Sequence, residues 1–166
     1  MADGMTGERT RPVHPLISRI GRTRLFSRLA PRLLPVCDRL AHRATRGHWM
    51  PSHLFLPTIL LTTRHPHGHA HATPVCAYRY PDGSWLVIAS NFGRPHHPLW
   101  SDNLLRHPSA TVTSDGRDHP VTARLLTPAE TQAERPGILA ALPVYDHYAA
   151  RAKGRPLRVF RLTPSA

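Results

Sequence analysis

Two Asp-Gly dipeptides, Asp82-Gly83 and Asp115-Gly116, each stand between runs rich in apolar and β-branched residues. A dipeptide of this kind between such runs is a strong signal for a hairpin, because a tight return needs left-handed backbone that Gly and Asp tolerate. Residues 74–80 and 84–90 flank the first turn, and residues 110–113 and 119–126 flank the second. The run TILLTTR at 58–64 suits a buried strand, and residues 157–162 form a last one. Five or six short antiparallel strands predict a small closed or half-closed barrel, an α+β chain that is mainly β. The alternation of a doubly wound sheet is missing, and so are GxGxxG and P-loop motifs, which excludes the nucleotide enzymes built on them.

Helices fit between these strands. Pro98 opens a helical pattern over 98–106 with Leu99, Trp100, Asn103 and Leu104 on neighbouring positions, and His107-Pro108 ends it. Thr127-Pro128-Ala129-Glu130 reads as an N-cap, a first-turn proline and a capping glutamate, so a helix is expected to about Leu142. A short helix is expected around 145–153.

Charge is distributed unevenly. The chain has 22 Lys+Arg against 10 Asp+Glu, a formal net charge of +12, in 166 residues. Residues 1–47 hold ten Arg and three acids, which places +7 of that total in one segment. We expect a disordered tail over 1–15, a basic helical segment over 16–47 with helices near 16–29 and 36–46, and the barrel over 48–166. Two readings of residues 16–46 stay open: a solvated face with Arg stems lying over the body, or a peripheral contact with anionic lipid. No apolar run reaches the roughly 20 residues of a membrane span, and no signal-peptide pattern opens the chain, so a cytoplasmic protein is expected. Cys37 and Cys76 form no CxxC pair and read as reduced thiols. No helix-turn-helix, zinc finger or RNP-like strand is visible, so nucleic acid is not an expected partner.

Familiar catalytic signatures are absent: there is no GxSxG, no HExxH and little material for a carboxylate pair. The unusual local feature is Arg64-His65-Pro66-His67-Gly68-His69-Ala70-His71. Alternating histidines can chelate a metal, but no Cys or carboxylate completes the set, so no metal site is assigned. The same loop suits an anion, through Arg64, its backbone N–H groups and partly charged histidines. A second polar loop, residues 90–98, leads into a helix N-terminus, and the two loops could converge on one anionic ligand.

The order ILLTTR, a basic loop, Thr73-Pro74, an Asp-Gly turn, then Ala89-Ser90-Asn91, Gly93, His97-Pro98, Trp100, Asn103-Leu104 and Pro108 resembles the deazaflavin-dependent nitroreductase family. The resemblance covers roughly residues 36–163. It implies a split β-barrel of the flavin- and deazaflavin-binding, pyridoxamine-phosphate-oxidase-like type, with N-terminal helices. It implies reduced coenzyme F(420), which carries a phosphate and a polyglutamate tail, with FMN as the less favoured cofactor. By the same resemblance the coenzyme would be bound by Arg64, His67, Gly68, His71, Thr73, Pro74, Ala89, Ser90, Asn91, Gly93, Arg94, Trp100 and Asn103. The first loop departs from the family pattern: it is one residue shorter, lacks the Lys, and has His67 near the usual Ser and His71 in place of the later Arg.

Pro143-Val144-Tyr145-Asp146-His147-Tyr148 resembles the family's Pro-x-Tyr-x-x-Tyr segment, which implies Tyr145 and Tyr148 on the substrate side as catalytic groups. Leu142, Cys76 and Ser101 replace tyrosines of relatives. The implied activity is hydride transfer to a quinone, nitro or conjugated-carbonyl acceptor, and homodimers are known in the family. The alternative is a non-catalytic barrel with an eroded coenzyme loop that holds a fatty acid or another apolar anion.

Overall fold

A computed structural model of the chain describes residues 57–65 and 68–165. The segments expected as a tail and a basic helical region, and the lipid contact considered for residues 16–46, lie outside the described residues. Six strands appear: β1 (Thr58–Arg64), β2 (Ala70–Arg79), β3 (Trp85–Ala89), β4 (Ser109–Ser114), β5 (Arg117–Leu125) and β6 (Arg158–Pro164). They close into a barrel in the order β1-β2-β3-β6-β5-β4, every pairing antiparallel. Closure leaves no sheet edge among them for another chain to extend.

Alternation decides which side chains face inward. Trp85, Val87 and Ala89 of β3 join Leu61, Val112, Val121, Phe160 and Leu162 in the barrel interior. Leu86 and Ile88, pointing the other way, pack with Val159 against helices outside the barrel. β3 is therefore buried on both faces, which explains why WLVIA is a continuous apolar run. Burying each such side chain is worth about 1.5–3 kcal/mol.

Among the described residues, four α-helices accompany the barrel: α1 (Leu99–Arg106), α2 (Pro128–Ala133), α3 (Arg135–Ala141) and α4 (Tyr145–Arg151). Trp100 and Leu104 of α1 belong to the interior cluster, and Asn103 Nδ2 donates to Thr63 Oγ1 of β1 at 3.1 Å. Thr127 caps α2 through a complete capping box with Glu130. The single helix expected to about Leu142 is instead two. Pro136 has no N–H to donate and its ring opposes the carbonyl four residues earlier, so the helix breaks and restarts at Arg135. α4 stops earlier than expected, because Lys153 and Gly154 take left-handed backbone at φ 52° and 83°.

Both expected turns form. Asp115 and Gly116 are left-handed at φ 52° and 72°. The first return is a three-residue loop, Pro81-Asp82-Gly83, closed by Tyr80 N–H donating to the Ser84 carbonyl at 2.9 Å. β2 begins at Ala70, four residues before its expected start. Pairing with β1 in the register Arg64↔Ala70 recruits His71 and Thr73 from the polar loop into the ladder.

Candidate functional site

The polar loop after β3 has an unusual backbone. Ser90 is right-handed at φ −70°, and Asn91, Phe92 and Gly93 then follow at φ 46°, 56° and 71°. A right-handed residue followed by a left-handed one is the dihedral pattern of a backbone anion nest. Left-handed backbone costs a non-glycine residue roughly 1–2 kcal/mol, so neighbouring contacts must hold it in place. Asn91 Nδ2 donates to the His96 carbonyl at 2.9 Å. Phe92 packs edge-on against Tyr148 of α4 with ring centroids 6.1 Å apart. Gly93 lies so close to α4 that an added Cβ would stand 2.8 Å from the Arg151 Cβ and 2.9 Å from the Tyr148 carbonyl oxygen.

The remaining restraint comes from Arg155, in the turn that leads into β6. Its guanidinium donates to the Ser90 carbonyl at 2.8 Å, the Arg94 carbonyl at 3.0 Å and the Ala89 carbonyl at 3.3 Å. One nitrogen also lies 3.0 Å from His97 Nδ1. Arg158 of β6 reaches α1, donating to Asp102 at 2.6 Å and to Ser101 Oγ at 3.1 Å. Burial, together with the Arg158 and Arg155 charges, holds His97 below the usual histidine range, against the pull of Asp102. His97 is therefore neutral at pH 7.

A cleft of about 280 Å³ lies over this loop, lined by His71, Thr73, Asn91, His96, His97, Pro98, Leu99 and Trp100. Two strands and a helix N-terminus thus bring His71 and Thr73 of the first region beside Asn91 and Trp100 of the second. Trp100 serves as both core residue and cleft wall: it is 6% exposed and packs 6.0 Å from Phe160. The nest pattern, the polar donors and this aromatic wall fit a flat-ringed anionic ligand.

The other sequence-predicted residues are placed as follows. Ala89, Ser90, Gly93 and Arg94 form the clamped loop itself. Pro74 follows Thr73 on β2 and pairs with Leu60. Asn103 is buried and spends its amide on Thr63. Arg64 is exposed at the end of β1, and Gly68 lies in the adjoining turn at φ 85°. His67 lies outside the described residues. Tyr145 and Tyr148 do not line the cleft; they sit on α4 behind the 91–93 turn. Tyr148 is 3% exposed, and burial pushes its phenol up to about 12. Tyr145 is partly buried, and burial raises its pKa too.

Sequence reasoning gave no role to Arg155 or His97, although His97 stood within the quoted motif. The partners of Arg155 are mostly main-chain carbonyls some 60 residues away, which no local pattern reveals. A second cleft, of about 320 Å³, lies between β5, β6 and α2. Its Asp82, Glu130 and Glu134 neutralise Arg124 and Arg161, so it does not suit an anion. Among the described residues, no three His, Cys, Asp or Glu side chains are grouped to hold a metal ion, and no helix is long and apolar enough to cross a membrane.

Comparison with known proteins follows the same lines. The chain is similar to a solved F(420)-H2 dependent reductase at 28% identity and TM-score 0.58, over 64% of this chain and 93% of that one. It is similar to a structure described as a domain-swapped dimer at 25% identity and TM-score 0.60, over 75% of this chain and 94% of that one. A protein of unknown function from Agrobacterium tumefaciens shares the fold at 20% identity and TM-score 0.51, over 67% of this chain and 49% of that one. A search of curated proteins found no match. The family model for F(420)H(2)-dependent quinone reductase matches residues 39–164. With its split barrel and loop-built cleft, the chain belongs to the F(420)H(2)-dependent quinone reductase family, oxidoreductases that use reduced coenzyme F(420).

Proposed function

We propose that this chain reduces a quinone, a nitro compound or a conjugated carbonyl. The observation that carries the reading is the convergence of His71 and Thr73 with Asn91 and Trp100 on one cleft. When bound, the coenzyme supplies the hydride, from C5 of its deazaflavin. The protein then has to bind, orient and exclude water, which suits a chain without an acid/base pair. His71, Thr73, Asn91 and Trp100 hold the coenzyme in the cleft, and Arg64 and Arg94, with His67 and Gly68, act on its anionic portions. Ala89, Ser90 and Gly93 supply backbone, while Pro74 and Asn103 fix the strand and helix that carry the site.

Hydride addition to a carbonyl carbon leaves an alkoxide or enolate oxygen that takes one proton. Neither Tyr145 nor Tyr148 lines the cleft, so solvent supplies that proton. The deeper Tyr148 holds the 91–93 turn from behind.

Titration with oxidised coenzyme, followed by its fluorescence, tests the reading. Micromolar binding is expected, weakened at least about tenfold by Arg64→Ala combined with Arg94→Ala. Absence of binding by the unaltered protein near neutral pH overturns the enzyme in favour of a barrel for apolar anions. The likeness to a domain-swapped dimer supports a homodimer, which light scattering on the purified protein decides; a monomer at micromolar concentration overturns it.

A further inference from the structure

We propose that Arg155 is a positioning residue that fixes the tautomer of His97, so that an Nε2–H donor is presented to an oxygen of the ligand in the cleft. The inference rests on the coenzyme reading for the identity of that ligand, but not for the state of the imidazole.

A guanidinium has donors only. Arg155 therefore requires a lone pair on the His97 nitrogen that it meets at 3.0 Å, and Nδ1 cannot carry a proton. In a neutral ring the proton then sits on Nε2. His97 lines the cleft, and this N–H is the donor it would offer a ligand there. The charged groups around the ring are Arg155 before β6, Arg158 on β6 and Asp102 on α1, with His71 of β2 and His96 lining the same cleft. Asp102 is already engaged by Arg158 at 2.6 Å, which leaves two guanidiniums opposing a charge on the imidazole. The same Arg155 nitrogens hold three carbonyls of the loop, so one side chain sets both the shape of the loop and the proton position at its end. A neutral donor recognises an oxygen acceptor without the pH dependence that a charged histidine would bring.

Nitrogen-detected NMR of the ligand-free protein reads the ring directly. The expected result is a single tautomer protonated on Nε2, titrating below the ordinary histidine range. In Arg155→Gln, His97 should become a mixture of tautomers and titrate higher than in the unaltered protein, with burial and Arg158 still opposing its charge. Coenzyme affinity should fall about tenfold at pH 7.5 in that variant. Should Arg155→Gln fail to fold, His97 itself supplies the test. His97→Leu should lose about tenfold in affinity, whereas His97→Gln, which keeps an N–H donor, should stay within about threefold of the unaltered protein. An Nδ1-protonated ring in the unaltered protein overturns the proposal, and so does full coenzyme affinity in His97→Leu. If the unaltered protein shows the expected tautomer but binds no coenzyme, the functional reading falls while the positioning role stands.

Discussion

Gly93 meets three demands at once: left-handed backbone, close approach to α4, and a place at the end of a run of three positive φ angles. Any β-carbon there conflicts with backbone as well as side chain, since the Tyr148 carbonyl oxygen stands 2.9 Å from where it would sit. Gly93→Ala should destabilise the protein by about 2 kcal/mol or more, from strain and overpacking together. Thermal unfolding should show this as a fall in Tm of roughly 8 °C or more, and an unchanged Tm would mean that the loop relaxes freely. The loss should extend to coenzyme affinity, because Asn91 in the same turn lines the cleft. At this scale the sequence was informative about residue type and much less so about partners. Thr73, Asn91 and Trp100 could be picked out because the motifs around them keep the family's order, and His71 because it stands where relatives carry an Arg. Arg155 could not, because carbonyl groups have no identity in a sequence.

Strands β1 and β4 and the capped start of α2 could be read closely from local chemistry, since hairpin turns and capping boxes act within a few residues. β2 was read short, because its first four residues, Ala70-His71-Ala72-Thr73, form no apolar β-like run and only the ladder with β1 makes them a strand. Pro136 breaks the single helix that the start signal at Thr127 suggests, a conflict that the missing N–H decides. The cap of α2 gives a prediction of its own. The hydrogen bond from Arg124, and then those from the Thr127 backbone and hydroxyl region, hold the Glu130 carboxyl at about 2. A carboxylate depressed below its unfolded value of about 4.3 adds stability above that pH and loses it as pH falls toward 2. Thr127→Ala should cost about 1 kcal/mol at pH 7. It should also flatten the decline between pH 4.5 and 2, measured as urea midpoints across that range. Equal acid declines in both proteins would remove the capping box as the cause.

For the molecule as a whole, the net charge of +12 was poor guidance to the site. Seven of those charges fall in residues 1–47, outside the described barrel, and the cleft is lined by histidines that the formal count treats as neutral. Barrel closure matters more. β6 bonds to β3 on one side and to β5 on the other, so the strand latest in sequence among those described is the one that completes the ring. Arg155 sits just ahead of it, which makes both the loop clamp and the barrel wait on the same stretch of chain. During synthesis on the ribosome, β1 to β5 can emerge and pair locally while β3 and β5 still expose unbonded backbone toward the empty place between them. The protein thus acquires its clamped loop and its seal in one late event, and a chain interrupted before residue 155 has neither.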